Sequence, residues 1–205
     1  MTTVPMIFAV RKASPYANLQ DLVAALRKGG KDSINFATPG IGTMQHLYGA
    51  LINKQAKVSM LHVPYRGGTH ITNDLVGGQV DSAMLVLSTA MPFLKDGKIR
   101  ALSVSDTARV QQLPDVKRIG EEEGFSGMAL PLWQGLFMKA GTPAATVNAA
   151  DKALQEALAQ SELRQKLQEA GITVAPLNGP EFKTFIKPQA KLYRDIVTTS
   201  QITME

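Results

Sequence analysis

The residues best suited to chemistry in this 205-residue chain lie in one run, Asn35-Phe36-Ala37-Thr38-Pro39-Gly40-Ile41-Gly42-Thr43-Met44-Gln45-His46-Leu47. Ile34, Phe36 and Ala37 suit a short buried strand, and Pro39, Gly40 and Gly42 interrupt it. Thr43 then precedes Met44, Leu47, Tyr48, Leu51 and Ile52 at helical spacing, which makes it the expected N-cap. A helix start leaves backbone N–H groups without partners and carries the positive end of the helix dipole. A carboxylate or phosphate placed there gains about 0.3–1 kcal/mol from the dipole, in addition to its hydrogen bonds. Thr38, Gly40, Ile41, Gly42 and Thr43 are therefore candidate ligand-binding residues. The same succession also serves as a plain strand-to-helix turn that binds nothing, and no lysine of a Walker-type loop follows it.

His46 falls about one turn into that helix, where it can meet a ligand or hydrogen-bond the neighbouring loop. His62, within Leu61-His62-Val63, reads as a structural histidine. Three histidines, no cysteine and no clustered carboxylates make a poor ligand set, so neither a metal nor a cofactor is expected. Tyr65 and Arg66 follow a strand end and can reach a cleft, and a guanidinium suits a carboxylate bidentately. Ser88 and Thr43 are the hydroxyls a hydrolase would use, but no Gly-x-Ser-x-Gly elbow is present, which leaves a small hydrolase as a minor alternative. Glu121, Glu122 and Glu123 point in different directions on a helix and read as a solvated helix end rather than a metal site. Trp133 reads as hinge or core packing more than as a ligand platform.

The elements that must position these residues alternate. Val4–Val10 suits a buried strand, and Asn18 can cap a helix over Leu19–Lys28 that Gly29-Gly30 stops. The loop follows, then a helix to about Lys54, a strand over Val58–Val63 and a short helix holding Ile71 and Leu75. Val80–Leu87 forms a further strand, Ser88–Leu94 a helix, and Ala101–Val104 another strand. This rhythm predicts an α/β fold with a mostly parallel sheet and ligands at the carboxyl ends of its strands. Met128–Met138 reads as a long extended segment able to cross between lobes. Helices over Val147–Leu158 and Glu162–Ala170 follow, the second capped by Ser161. A strand at Ile172–Ala175 precedes a last helix from Gly179-Pro180-Glu181 to about Ile196. A 44% hydrophobic content supports a real core, and no apolar run reaches the length of a membrane helix. The net charge of +5 is scattered through amphipathic segments, which argues against nucleic acid and for a modest attraction to anions.

Several stretches together resemble the substrate-binding proteins of tripartite tricarboxylate transporters, the TctC or Bug family. They are Asn35–Thr38 with Gly40–Thr43 and His46-Leu47, then His62-Val63-Pro64-Tyr65-Arg66-Gly67, then Asp74-Leu75-Val76-Gly77-Gly78-Gln79-Val80-Asp81. Leu94–Leu102, Leu113-Pro114-Asp115-Val116 and Ala140-Gly141-Thr142-Pro143 continue the series in family order. The resemblance implies a two-lobed receptor of the periplasmic-binding-protein-like, type II class that closes on a small organic carboxylate without catalysis. It also implies a periplasmic location and membrane subunits of a transporter as partners. Residues 4–124 would form a complete lobe, and residues 125–205 the returning portion of the other lobe, whose N-terminal half the chain is expected to lack. Leu85 and Val86 stand where the family often has an Asp-Asn pair facing the cleft, so Leu85 is a candidate ligand-binding position made apolar, beside Ser88. An incomplete lobe would leave apolar faces bare, and a homodimer is the expected remedy. The rival from another class is a self-associating scaffold whose cleft is lost.

Overall fold

Met6 to Val10 are all fully buried, and this unbroken apolar run becomes the strand on which the larger sheet is built. The computed structural model describes residues 1–130 and 132–200. Strand β1 (Thr2–Val4) is followed by β2 (Met6–Arg11), α1 (Leu19–Gly29), β3 (Asn35–Thr38) and α2 (Met44–Ala56). Next come β4 (Leu61–Pro64), α3 (Gly68–Gly77), β5 (Ser82–Val86), α4 (Leu87–Lys95) and β6 (Ile99–Val104). After a 3₁₀ turn at Ile119–Glu121 the chain forms β7 (Leu132–Gln134), α5 (Ala144–Ala159), α6 (Ser161–Glu169), β8 (Thr173–Val174) and α7 (Gly179–Thr199).

Pro5 divides the single strand expected at Val4–Val10. It lacks the N–H a ladder needs, so β1 ends before it and joins one sheet while β2 joins another. The sheet orders are β7-β1-β8 and β4-β3-β5-β2-β6. The expectation of a mostly parallel sheet is corrected here. β3 pairs parallel with β4 and β5, but β2 runs antiparallel to both β5 and β6, and the three-stranded sheet is antiparallel throughout. β2 carries the chain away from the crossing at Pro5, whereas β3, β4, β5 and β6 all run back towards it. The carboxyl ends of four strands thus share the edge that faces the crossing.

Alternation along β2 divides the core. Met6, Phe8 and Val10 face α1 and α2, where Leu19, Leu22, Leu26, Leu47, Tyr48 and Ile52 are buried. Ile7 and Ala9 face the opposite side, with Ile71, Leu75, Leu87 and Ala90 from α3 and α4. Each such Leu or Ile contributes about 1.5–3 kcal/mol on burial. The two sheets are tied at the crossing: Met6 N–H donates to Ser105 Oγ at 3.0 Å, Ser105 N–H to the Met6 carbonyl at 2.9 Å, and Leu130 N–H to the Ser105 carbonyl at 2.9 Å.

Local capping follows the sequence at Asn18, which accepts from Asp21 N–H, and at Asn178, which forms a capping box with Glu181. The cap expected at Ser161 is not formed. Ser161 is already helical, and Gln160 precedes it without a side-chain cap bond. Among the described residues no helix is long and apolar enough to cross a membrane.

Candidate functional site

β3 ends at Thr38, which is fully buried, and the loop that follows is held by its own polar groups. Gly40 N–H donates to Thr38 Oγ1 at 3.3 Å, and Thr43 Oγ1 donates to the Gly40 carbonyl at 2.7 Å. Thr43 caps α2 as expected, accepting from His46 N–H at 3.3 Å. Gly42 adopts φ +74°, a backbone conformation natural to glycine, and its N–H donates to His46 Nδ1 at 3.2 Å. That nitrogen therefore carries no proton. Two of the loop's glycine N–H groups are thus already engaged inside the loop.

His46 and His62 stack with ring centroids 3.8 Å apart and planes 9° from parallel, and Phe36 lies 5.0 Å from the His62 ring. His62 Nε2 is 2.6 Å from Thr38 Oγ1. Burial lowers the pKa of His46. Burial, and then the charge His46 would carry, push His62 down to about 4. Both rings are neutral near pH 7 and brace the loop from beneath.

Beside this loop is a cavity of about 190 Å³, lined by Pro39, Gln45, Gly68, Met84, Leu85, Val86 and Thr89. It lies where β3, β4 and β5 end and where α2, α3 and α4 begin. The N-caps of α3 and α4, Gly67 and Val86, make no side-chain cap bond. Leu87 N–H, the first of α4, donates to the Pro5 carbonyl at 2.9 Å. Helix starts of this kind otherwise leave first-turn N–H groups without intrahelical partners and carry the positive end of the dipole. Among the described residues no charged side chain lines the cavity. The volume is below the 300–1,000 Å³ usual for drug-sized ligands and suits an acid of a few carbons.

Of the residues singled out in the sequence, Leu85 lines this cavity, Gly40, Ile41, Gly42 and Thr43 form the loop at its edge, and Ser88 lies in the first turn of α4. Tyr65 turns to α3, its hydroxyl donating to Asp74 Oδ2 at 2.7 Å. Burial, that hydrogen bond and the Asp74 charge raise its pKa to about 12. Arg66 is exposed. Sequence reasoning missed Gln45, Gly68 and Thr89, which come together only through tertiary packing. Trp133 packs edge-on against Phe182 and Phe185 and donates to the Tyr193 hydroxyl at 2.6 Å. The acidic triplet is not uniformly solvated: Glu122 is buried, and the Glu121 carboxylate meets Arg109 at 3.1 Å.

A larger cavity, about 530 Å³, lies between residues 106–112 and the α6–β8 segment. Its principal polar groups are already paired. Gln112 donates to the Gln168 carbonyl, Gln168 to Gln111, and Arg164 to the Leu158 carbonyl. The smaller cavity, by contrast, is lined by residues at the starts of α2, α3 and α4.

Residues 1–202 match the family described as tripartite tricarboxylate transporter family receptor, TctC. A UPF0065 protein from the tcbD-tcbE intergenic region of Pseudomonas sp. strain P51 is 34% identical over 174 residues, which is 84% of this chain and 51% of that protein. The periplasmic binding protein BugD overlays with a TM-score of 0.88 at 27% identity, over 100% of this chain and 68% of BugD. MatC (Rpa3494) from Rhodopseudomonas palustris with bound malate overlays at 0.84 and 29% identity, over 96% of this chain and 67% of MatC. The chain spans about half the length of the first relative and about two thirds of each structure. Motif order, fold and whole-chain match agree, and the chain belongs to the TctC family of tripartite tricarboxylate transporter receptors, a family of non-catalytic solute-binding proteins.

Proposed function

We propose that this chain holds a small organic carboxylate, a di- or tricarboxylate or related acid, for delivery to the membrane subunits of a tripartite transporter. The observation that carries this reading is the convergence of three helix starts on one cavity that no charged side chain lines among the described residues. Each dipole end stabilises an anion by about 0.3–1 kcal/mol, and first-turn N–H groups without intrahelical partners supply hydrogen bonds. In this reading residues 4–124 are the ligand-holding lobe and residues 125–205 are the returning part of the other lobe. Thr38, Gly40, Ile41, Gly42, Thr43 and His46 shape the loop, while Tyr65, Leu85 and Ser88 complete the surroundings. Leu85 and Val86 present hydrocarbon where an amino-acid ligand's ammonium would need a carboxylate, so an unaminated dicarboxylate or an apolar-tailed acid is favoured. The malate bound to MatC, a relative at 29% identity, agrees with an acid of this size. The site of action is the periplasm, as for BugD.

The exposed Leu136 (74%) and Phe137 (67%) support self-association as a homodimer that covers this face, and they also favour the scaffold reading. A thermal-shift screen with di- and tricarboxylates separates the two. A ligand at 100 times its Kd stabilises the fold by about 2.7 kcal/mol, whereas a scaffold does not respond.

A further inference from the structure

Gln45 is the second residue of α2, and its neighbour His46 turns beneath the loop to stack on His62. Successive residues on a helix point about 100° apart, so the two side chains serve different surroundings. Gln45 is only 8% exposed and lines the cavity of about 190 Å³. A buried amide without a partner is costly, and most such groups are paired. No described residue hydrogen-bonds the Gln45 side chain. Its amide is not sealed in either: the side-chain polar atoms wholly buried without a partner among the described residues are those of Tyr48, Ser103 and Ser200. Gln45 is among the residues that line the cavity, which brings its amide within reach of an acid seated there. Among the described lining residues the Thr89 hydroxyl is the other polar side-chain group, since Pro39, Gly68, Met84, Leu85 and Val86 offer none.

We propose that Gln45 is the side chain by which this cavity recognises its acid, donating an Nε2–H hydrogen bond to a carboxylate oxygen seated among the three helix starts. This rests on the carboxylate reading above and adds to it a specificity-determining residue. The chemistry fits. A primary amide supplies two donors and one acceptor without charge, so it satisfies a carboxylate, or a hydroxyl beside one, without demanding an ammonium group. The apolar wall from Met84 to Val86 then accommodates the carbon chain. A carboxylate in place of the amide would present a like charge to the ligand in the same volume, which is what makes the isosteric variant informative.

The test is calorimetry with succinate, malate, glutarate and aspartate on the wild type, Gln45→Leu and Gln45→Glu, with thermal melts of each unliganded variant to establish folding. The wild type is expected to bind at least one of the three unaminated acids. Gln45→Leu should weaken that binding by roughly ten- to a hundred-fold, the range for a hydrogen bond to a charged group. Gln45→Glu should weaken it further still. Undiminished affinity in both folded variants overturns the role of Gln45 and leaves the carboxylate reading intact. A loss in Gln45→Leu without a loss in Gln45→Glu also overturns it, since packing alone would explain that pattern. Absence of wild-type binding to all four acids overturns both the role and the reading beneath it.

Discussion

Acid should loosen the Thr38–Thr43 loop through the histidine stack beneath it. The folded protein holds His62 neutral, with its pKa pushed from 6.5 down to about 4 by burial and then by His46. The unfolded chain takes up protons first as pH falls. The contribution to stability is therefore fully present above about pH 6.5 and is lost as pH falls towards about 4. Converted in full, a shift of that size is about 3 kcal/mol at 1.36 kcal/mol per pKa unit. His62 is only half-buried, and solvent screening reduces the figure to about 1–2 kcal/mol. His46 acts in the same direction, because Gly42 N–H donates to its Nδ1 and protonation there removes the acceptor. The other groups that meet the pair are the Phe36 ring and the Thr38 hydroxyl. Urea denaturation at about pH 7.5 and about pH 4.5 measures the effect. Carboxylates also titrate in this range, so the quantity to read is the difference between wild type and a His46→Gln, His62→Gln double variant. The wild type should lose about 1–2 kcal/mol more than the double variant on acidification. Equal losses would mean that the histidine pair does not stabilise the loop.

Gly49→Ala should destabilise the fold, because its Cβ would lie 2.7 Å from Cζ and 2.8 Å from Cδ2 of the buried Phe36 ring. Overpacking of about 1–3 kcal/mol exceeds the roughly 0.5–1 kcal/mol that alanine gains in a helix, and a lowered denaturation midpoint checks it. Tyr48→Phe removes a buried hydroxyl that has no partner among the described residues. Its stability should be unchanged or raised by up to about 1 kcal/mol, and a clear loss would mean the hydroxyl is satisfied. Gly42→Val places a β-branched residue at φ +74°. It should weaken carboxylate binding and cost about 1–2 kcal/mol of stability, read by calorimetry and melting.

Much of the loop was legible because it is local. Phe36 on a strand, the glycine break and the Thr43 cap are consecutive, and their chemistry needs no distant partner. The same holds for Asn18. Strand direction was not legible, since β2 and β3 look alike as apolar runs. Only the crossing at Pro5 makes β2 the outward leg and the others the returning ones. Gln45 reads as one polar residue between Met44 and His46. Its position gains meaning when Gly68, Met84 and Thr89 arrive from three other segments to close a cavity around it. Burial of Glu122 likewise depends on packing that an acidic triplet does not announce.

An acid bound among the starts of α2, α3 and α4 would perturb the amides around it. Two-dimensional ¹H–¹⁵N NMR during titration with succinate or malate tests this residue by residue. Shifts are expected to concentrate at the backbone amides of Met44, Gln45, Gly68, Leu85, Val86 and Thr89. Shifts confined to Gln111, Gln112 and Gln168 around the larger cavity, or no shifts at saturating acid, would contradict binding at the three helix starts.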